Sequence, residues 1–352
     1  MKATYLLPIR RAVFAESEAA ELRDYLEMLA NAGCEVIVVD GSARAIFAQH
    51  HQVWSDVCRH APVDRRYQFV NDKVNGVHTG VAIATNEKII LGEDDIRYTR
   101  ADIEQACDLL DRFEVVRAQN YVGWIAISER DVKNNAASAP HITNAFGECV
   151  PSWAKMEAAR MLINRATLRT ADYPGTCAFL RSTMLRCGDY DGDVLFDNEE
   201  LIRHLAGHDA RIFYAHDLFI CKRPPTFRKW LEQRPRQAYE DFGLRLKTSL
   251  FASLLPTAVV LGLIDPRSLS IFLLSIFIAL ADWLRGSARK YFPLYVCLFA
   301  PLWVCERTLS TYWAFYWLIA RGGYPFGGRV LKKGIGRDWV EGGRIASASP
   351  RK

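Results

Sequence analysis

Apolar residues follow two regimes along the chain. Over the first 247 residues, short apolar runs alternate with segments in which apolar positions recur at helical spacing. Ala3–Ile9 is a run of the first kind, residues 17–32 place Leu22, Leu26 and Leu29 on one helical face, and residues 34–39 form a β-branched run ending at Asp40-Gly41-Ser42. Ser17 is expected to cap the intervening helix, with Glu18 and Glu21 in its first turn, and Gly33 to stop it. Strand, helix, strand in this order predicts an α/β domain with parallel strands. A further apolar run, Lys88–Leu91, ends in Gly92-Glu93-Asp94-Asp95. In open α/β sheets ligands bind beyond the carboxyl ends of the strands, so Asp40 and the acidic triplet are expected to border one crevice. The alternative for Asp94 or Asp95 is to cap a helix beginning near Arg97.

Beyond residue 247 the pattern changes. Residues 248–264 contain no charge, nor do residues 268–281, and only Asp265-Pro266-Arg267 separates them. These lengths predict a hairpin of two membrane helices, because a soluble core helix carries a polar stripe that both segments lack. A third apolar stretch, residues 291–320, holds Pro293, Pro301, Glu306 and Arg307 among Trp303, Trp313 and Trp317. An ion pair at the bilayer midplane is costly, so this stretch is expected to be re-entrant or interfacial, with a third crossing as the alternative.

Charge sharpens the division. The net +5 of the 352 residues splits into 32 Lys/Arg against 35 Asp/Glu over residues 1–247, and 13 against 5 over residues 248–352. Arg234, Arg236, Arg245 and Lys247 precede the first apolar segment, and Arg285, Arg289 and Lys290 follow the second. Positive residues stay on the cytoplasmic side, which predicts a multi-pass protein of the cell inner membrane with its large N-terminal domain cytoplasmic. The expected organisation is an α/β domain over 1–240, a hairpin over 241–290, a third membrane or interfacial segment over 291–320 and a basic tail over 321–352. Basic charge beside apolar spans points to anionic lipid headgroups, not to nucleic acid. The nine cysteines are scattered without a C-x-x-C pair and are expected to be reduced, and no zinc spacing is present.

The acidic triplet carries the sharpest chemistry. Three adjacent carboxylates straight after a buried strand repel one another unless a cation or hydrogen-bond donors compensate. Mg2+ typically uses one or two carboxylates together with substrate phosphates, so Glu93 and Asp95 are the candidate metal ligands for Mg2+ or Mn2+. No G-x-G-x-x-G or Walker A sequence is present.

The order of Pro8, Val38-Val39-Asp40-Gly41-Ser42, Lys73-Val74-Asn75-Gly76 and Ile89-Ile90-Leu91-Gly92-Glu93-Asp94-Asp95 resembles the family 2 glycosyltransferases of the GT-A fold. The resemblance implies a Rossmann-like, mostly parallel sheet. It also implies that Asp40 and Lys73 contact the nucleotide, that Glu93 and Asp95 bind metal and diphosphate, and that Asp94 lies at the substrate beside them. Asp40-Gly41 stands where the family has a double aspartate, and Glu93 where its D-x-D begins. Gln233-Arg234-Pro235-Arg236-Gln237 resembles the Q-x-x-R-W motif of membrane-bound members, which implies that Arg236, helped by Arg234 and Gln233, holds the leaving diphosphate. Gln237 replaces the family tryptophan, which argues against processive synthesis. For the base, the family's acidic helix start is matched by Asp197-Asn198-Glu199-Glu200-Leu201. The literal alignment puts Asn198 at the base, and an amide cannot take the proton, so Asp197 is the first candidate and Glu199 the second.

These readings imply an inverting transferase that moves a sugar from a nucleotide-diphosphate sugar to a hydroxyl of a lipid, lipid-linked or polysaccharide acceptor at the cytoplasmic membrane face, in possible assembly with other envelope-biosynthesis proteins. The alternatives are a processive polysaccharide synthase and a non-catalytic nucleotide-binding membrane scaffold.

Overall fold

A computed structural model of the chain describes residues 2–123, 150–168, 176–326 and 329–334. The expected basic tail lies outside them from residue 335 onward. An eight-stranded sheet runs in the order β3-β2-β1-β4-β7-β6-β8-β5, where β1 is Ala3–Ile9, β2 Glu35–Asp40, β3 Arg59–Pro62, β4 Lys88–Leu91, β5 Ile96–Arg97, β6 Val115–Val122, β7 Cys177–Leu180 and β8 Ile212–Lys222. The first four strands are mutually parallel, β6 and β8 are parallel, and β7 runs against both its neighbours. Every residue of β1 is buried, as its unbroken apolar run requires of a strand covered on both faces. Ile9 lies opposite Asp40 and Leu6 opposite Leu91, so β2 and β4 end on the same edge of the sheet on either side of β1.

Helices cover both faces. Helix α1 (Glu16–Asn31) and α2 (Arg44–Trp54) follow β1 and β2, α3 (Asp72–Ile83) precedes β4, and α4 (Arg100–Leu110) follows β5. Two local expectations are corrected here. Ala15 precedes α1 without a side-chain cap, and Ser17 lies inside the helix. Asp94 and Asp95 cap nothing, because the chain forms β5 first and α4 starts behind a reciprocal Thr99–Asp102 capping box. Gly33 does end α1, with φ 86° just beyond it.

Helix α3 crosses the sheet unusually closely. A Cβ at Gly76 would lie 2.7 Å from Pro8 Cβ, and one at Gly80 2.0 Å from Leu6 Cδ1. Glycine at both positions lets α3 descend along β1 from its carboxyl end, which leaves the N-terminus of α3, with Lys73, on the same sheet edge as Asp40 and Glu93.

Further helices are α5 (Ser152–Thr167), α6 (Arg181–Cys187), α7 (Asp197–Gly207) and α8 (Phe227–Glu240). Beyond α8 come α9 (Arg245–Ile264), a 3-10 stretch over Pro266–Leu273 that continues into α10 (Leu274–Trp283), and α11 (Ala300–Ala320). Leu246–Ile264 and Pro266–Trp283 are long and apolar enough to cross a bilayer, and both are mostly exposed. Helix α11 is two-faced. Its inner face buries Trp303, Arg307, Thr311 and Ala314, and its outer face exposes Leu302, Leu309, Trp313, Tyr316 and Ile319. Glu306 and Arg307 turn inward to α8, Glu306 to Arg234 at 3.5 Å and Arg307 to Gln237 at 2.9 Å and Asp241 at 3.3 Å. After α11 a short hairpin of β9 (Tyr324–Phe326) and β10 (Arg329–Leu331) returns to the α/β domain, where Lys333 bridges to Val194. Among the described residues the cysteines are free thiols.

Candidate active site

Three chain segments converge on one ammonium group. Lys73, near the N-terminus of α3, bonds Glu93 at the end of β4, and its Nζ lies 2.8 Å from Asn198 Oδ1 and 3.0 Å from Asp197 Oδ2, both at the start of α7. Asn198 donates back to Glu93 Oε1 at 2.9 Å. Asn71, the N-cap of α3, reaches Asp197 Oδ1 at 3.5 Å and the Val194 carbonyl at 3.2 Å. Burial works against the charge on Glu93, but Lys73, Lys222 and the Asn198 amide outweigh it and hold the carboxyl down to about 2. Burial likewise opposes the charge on Lys73, and Asp197 with Glu93 overrides it, so the ammonium titrates well above its ordinary range.

The rest of the triplet faces a second set of cations. Asp95 lies 3.4 Å from Lys222 and 3.9 Å from Lys229, and Asp94 lies 3.7 Å from Lys229 and 3.6 Å from Arg11. The backbone N–H of Arg223 donates to the Asp95 carbonyl at 2.7 Å and fixes this turn. Sequence reasoning gave Lys222 and Lys229 no role. The available signal was the end of β8, the neighbour of β5 on this edge.

The donor set suits one kind of metal site. Among the described residues no three His, Cys, Asp or Glu side chains form a cage of their own. A Mg2+ or Mn2+ that takes one or two carboxylates and completes its shell with phosphate oxygens and water fits the triplet. Of the two expected ligands, Glu93 already has Oε1 occupied by Lys73 and Asn198, whereas Asp95 has only looser ion contacts and is the better-placed oxygen donor.

Two expected partners are turned away by helical geometry. Residues two apart on an α-helix project from opposite sides. On α7, Asp197 meets Lys73 while Glu199, the other candidate, is drawn to Arg117 at 3.0 Å, a residue 1% exposed on β6, and so anchors α7 to the sheet. On α8, Arg236 stands toward the cluster. It donates to the Leu195 carbonyl at 3.3 Å and to Glu240 at 3.0 Å, and although burial opposes its charge, Glu240, Asp197 and Glu93 raise its pKa. Arg234 is 2% exposed, lies 2.5 Å from Glu157 and 3.5 Å from Glu306, and sits over the Trp230 ring. The helper role expected of Arg234 is therefore replaced by a structural one. Gln233, three residues before Arg236, is half-buried on the same helix side. Gln237 is bound to Arg307 and docks α11.

Asp40 reaches the expected edge but is closed off. Its Oδ2 lies 2.7 Å from His50 Nδ1 and 3.3 Å from His60 Nε2, its Oδ1 accepts from the Ser42 N–H at 2.8 Å, and its side chain is 0% exposed. Burial would raise its pKa, yet the bonds from His60, Ser42 and His50 lower it to about 2. A nucleotide approaching this edge meets the carboxylate already paired.

No protein-family model matches the chain, and no curated protein matches it. Among solved structures, the mannosyltransferase PcManGT from Pyrobaculum calidifontis, in complex with GDP-Man and Mn2+, is similar at 15% identity over 89% of this chain and 87% of that one, with a TM-score of 0.45. The glucosyl-3-phosphoglycerate synthase from Mycobacterium tuberculosis, in complex with Mg2+ and UDP, is similar at 11% identity over 67% of this chain and 77% of that one, with a TM-score of 0.38. Likenesses of this degree establish neither family nor activity.

Proposed function

We propose that the chain is a metal-dependent, inverting glycosyltransferase of the family 2, GT-A type, which transfers a sugar from a nucleotide-diphosphate sugar to a hydroxyl of a lipid or lipid-linked acceptor. The observation that carries this reading is the convergence of Lys73, Glu93, Asp197 and Arg236 on one sheet edge beside the cationic pair Lys222 and Lys229. Four cations gathered at this edge are suited to bind a diphosphate and to stabilise the charge that develops on it as it departs. Asp197 is the general base. Its carboxylate takes the proton of the acceptor hydroxyl, whose oxygen bonds to the anomeric carbon while the bond from that carbon to the diphosphate oxygen breaks on the opposite face. Lys73 must leave Asp197 for this to happen, and an incoming diphosphate offers it a stronger partner. A Mg2+ or Mn2+ held by Asp95, with Glu93 or Asp94, would supply Lewis-acid charge at the diphosphate oxygens.

The acceptor class rests on the apolar helices. Leu263, Ile264 and Phe277 are 83%, 77% and 65% exposed on the α9–α10 pair, and bilayer hydrocarbon is the environment that suits such surfaces. In this reading the pair crosses the inner membrane, α11 lies in the interface with its aromatic outer face among the headgroups, and the catalytic domain is cytoplasmic. Gln237, committed to α11, leaves the family tryptophan's place empty of an acceptor-seating ring, which favours single transfer over processive synthesis.

The test uses isolated membranes, a panel of radiolabelled nucleotide sugars and mass spectrometry of the products. Transfer is expected to need Mg2+ or Mn2+, and to be lost in Asp95→Ala and in Asp197→Asn, with Asp197→Asn still binding nucleotide. Retained transfer in Asp197→Asn, or no turnover of any sugar nucleotide by the wild type, overturns the reading.

A further inference from the structure

The segment that follows α11 ends against the loop that carries Asp197. Gly322 and Gly323, with φ 69° and 149°, turn the chain back from the end of α11. Lys333 then bridges Val194 in parallel, the Leu195 N–H donates to the Lys333 carbonyl at 3.1 Å, and the Phe196 N–H donates to the Gly334 carbonyl at 2.9 Å. These two N–H groups lie just before α7 and at its N-cap residue Phe196, so the returning segment satisfies them and pins the backbone from which the helix starts.

The same segment supports the arginine. The Phe326 ring centroid lies 5.1 Å from the Arg236 guanidinium carbon, and Arg236 donates to the carbonyl of Leu195, whose N–H is held by Lys333. The segment itself is firmly seated. Leu331 is 2% exposed in a cluster with Leu195, Ala238, Tyr239 and Ala314, Tyr239 Oη donates to the Lys332 carbonyl at 2.9 Å, and Lys333 pairs with Asp191 at 3.0 Å. A Cβ on Gly334 would lie 2.9 Å from the Tyr239 carbonyl oxygen, too close for any other residue without a backbone shift.

We propose that this C-terminal strap, residues 324–326 and 329–334, is a positioning element of the active site that sets both the Asp197 carboxylate and the Arg236 guanidinium. The inference rests on the roles given to those two residues above. Lys222 and Lys229 lie on β8 and α8 and pair with Asp95, away from the strap, so displacing the strap alters turnover more than the first encounter with donor.

The experiment measures transfer in membranes for the full chain with Gly334→Val, Phe326→Ala, Phe326→Tyr and Lys333→Ala, together with thermal stability and binding of the nucleoside diphosphate. Gly334→Val and Phe326→Ala are expected to lower kcat per folded enzyme on the order of 10- to 100-fold, the penalty of a small misplacement of reacting groups, with donor KM changed less than about twofold. Phe326→Tyr, which keeps the ring under Arg236, retains kcat, and Lys333→Ala, which removes the Asp191 pair but keeps the backbone pairing, lowers it less than Gly334→Val does. Unchanged kcat per folded enzyme in Gly334→Val and Phe326→Ala, or a loss confined to donor KM, overturns the inference. Asp197→Asn in the same assay separates the two failures: if it is inactive while the strap variants are fully active, only the strap proposal falls, and if it remains active, the functional reading falls with it.

Discussion

Lys73 Nζ lies 3.0 Å from Asp197 Oδ2 while the same ammonium bonds Glu93, so one cation ties the acidic end of β4 to the proposed base. In the proposed reaction this base stays capped until the ammonium is drawn off, and donor binding is the step that would free Asp197 for the acceptor. Removing the ammonium leaves two largely buried carboxylates facing each other. Lys73→Met is expected to cost about 3 kcal/mol of stability, the scale for breaking a buried pair from one side. It should also weaken nucleoside diphosphate binding. Adding Glu93→Gln removes one of the stranded charges and should recover most of the lost stability without recovering binding. Denaturant titration and nucleotide binding of the single and double variants check this, and a double variant no more stable than Lys73→Met refutes it.

Arg234 and Arg236 separate stability from turnover. Arg234 is buried between Glu157 and Glu306, and burial that would raise the Glu157 pKa is overcome by Arg234 and Arg160, which hold it to about 2. Arg234→Met is expected to destabilise by about 3 kcal/mol and to leave the kcat of the folded fraction within a few-fold. Arg236 is a third exposed, so Arg236→Met should cost about 1 kcal/mol or less while lowering kcat about 100-fold through loss of charge on the leaving group. The reverse pattern in thermal melts and kinetics would move the diphosphate role from Arg236 to Arg234.

The buried Asp40 makes stability depend on acid pH in a defined direction. Its folded pKa, about 2, lies below its ordinary 3.8, so the folded state favours the ionised form. The stabilisation is present above about pH 4 and is lost as pH falls toward 2, because the unfolded chain takes up the proton first. A depression of this size corresponds to about 2 kcal/mol. Glu93, also held to about 2, contributes in the same window. Asp40→Asn should therefore flatten the stability profile below pH 4, and Glu93→Gln should flatten it further. Equal slopes in wild type and Asp40→Asn, measured by denaturant unfolding at a series of pH values, would exclude a role for this carboxylate.

The parts of this arrangement that could be read from the sequence are those set by local pattern. Unbroken apolar runs mark β1, β2 and β4, and the acidic triplet declares the end of a buried strand. Helical phase is legible too: Trp230, Arg234 and Ala238 recur at four-residue spacing on one buried face of α8, which assigns Arg234 inward and Arg236 to the other side. The partners of Asp40 were not legible, since His50 and His60 come from α2 and β3 and meet it only once the sheet is assembled. The strap was less so. Lys333 and Val194 lie far apart in the chain with α8 to α11 between them, and neither is unusual in its own neighbourhood.

The exposed faces of α9 and α10 offer the sharpest test of where the protein resides. Val260 and Phe277 are 56% and 65% exposed. At a water-exposed position away from special features, an arginine usually changes stability by no more than about 0.5 kcal/mol. Near the centre of a membrane helix it costs about 2.5–3.5 kcal/mol. Val260→Arg combined with Phe277→Arg should therefore shift the protein from a carbonate-resistant membrane fraction to a soluble or aggregated one. Transfer to a lipid acceptor in vesicles should fall with it, while nucleoside diphosphate binding by the catalytic domain persists, because the Lys73 cluster lies on the sheet edge and not on these helices. A wild type that washes off membranes in carbonate, or a double variant retained as firmly as the wild type, would mean that some other apolar surface covers these helices.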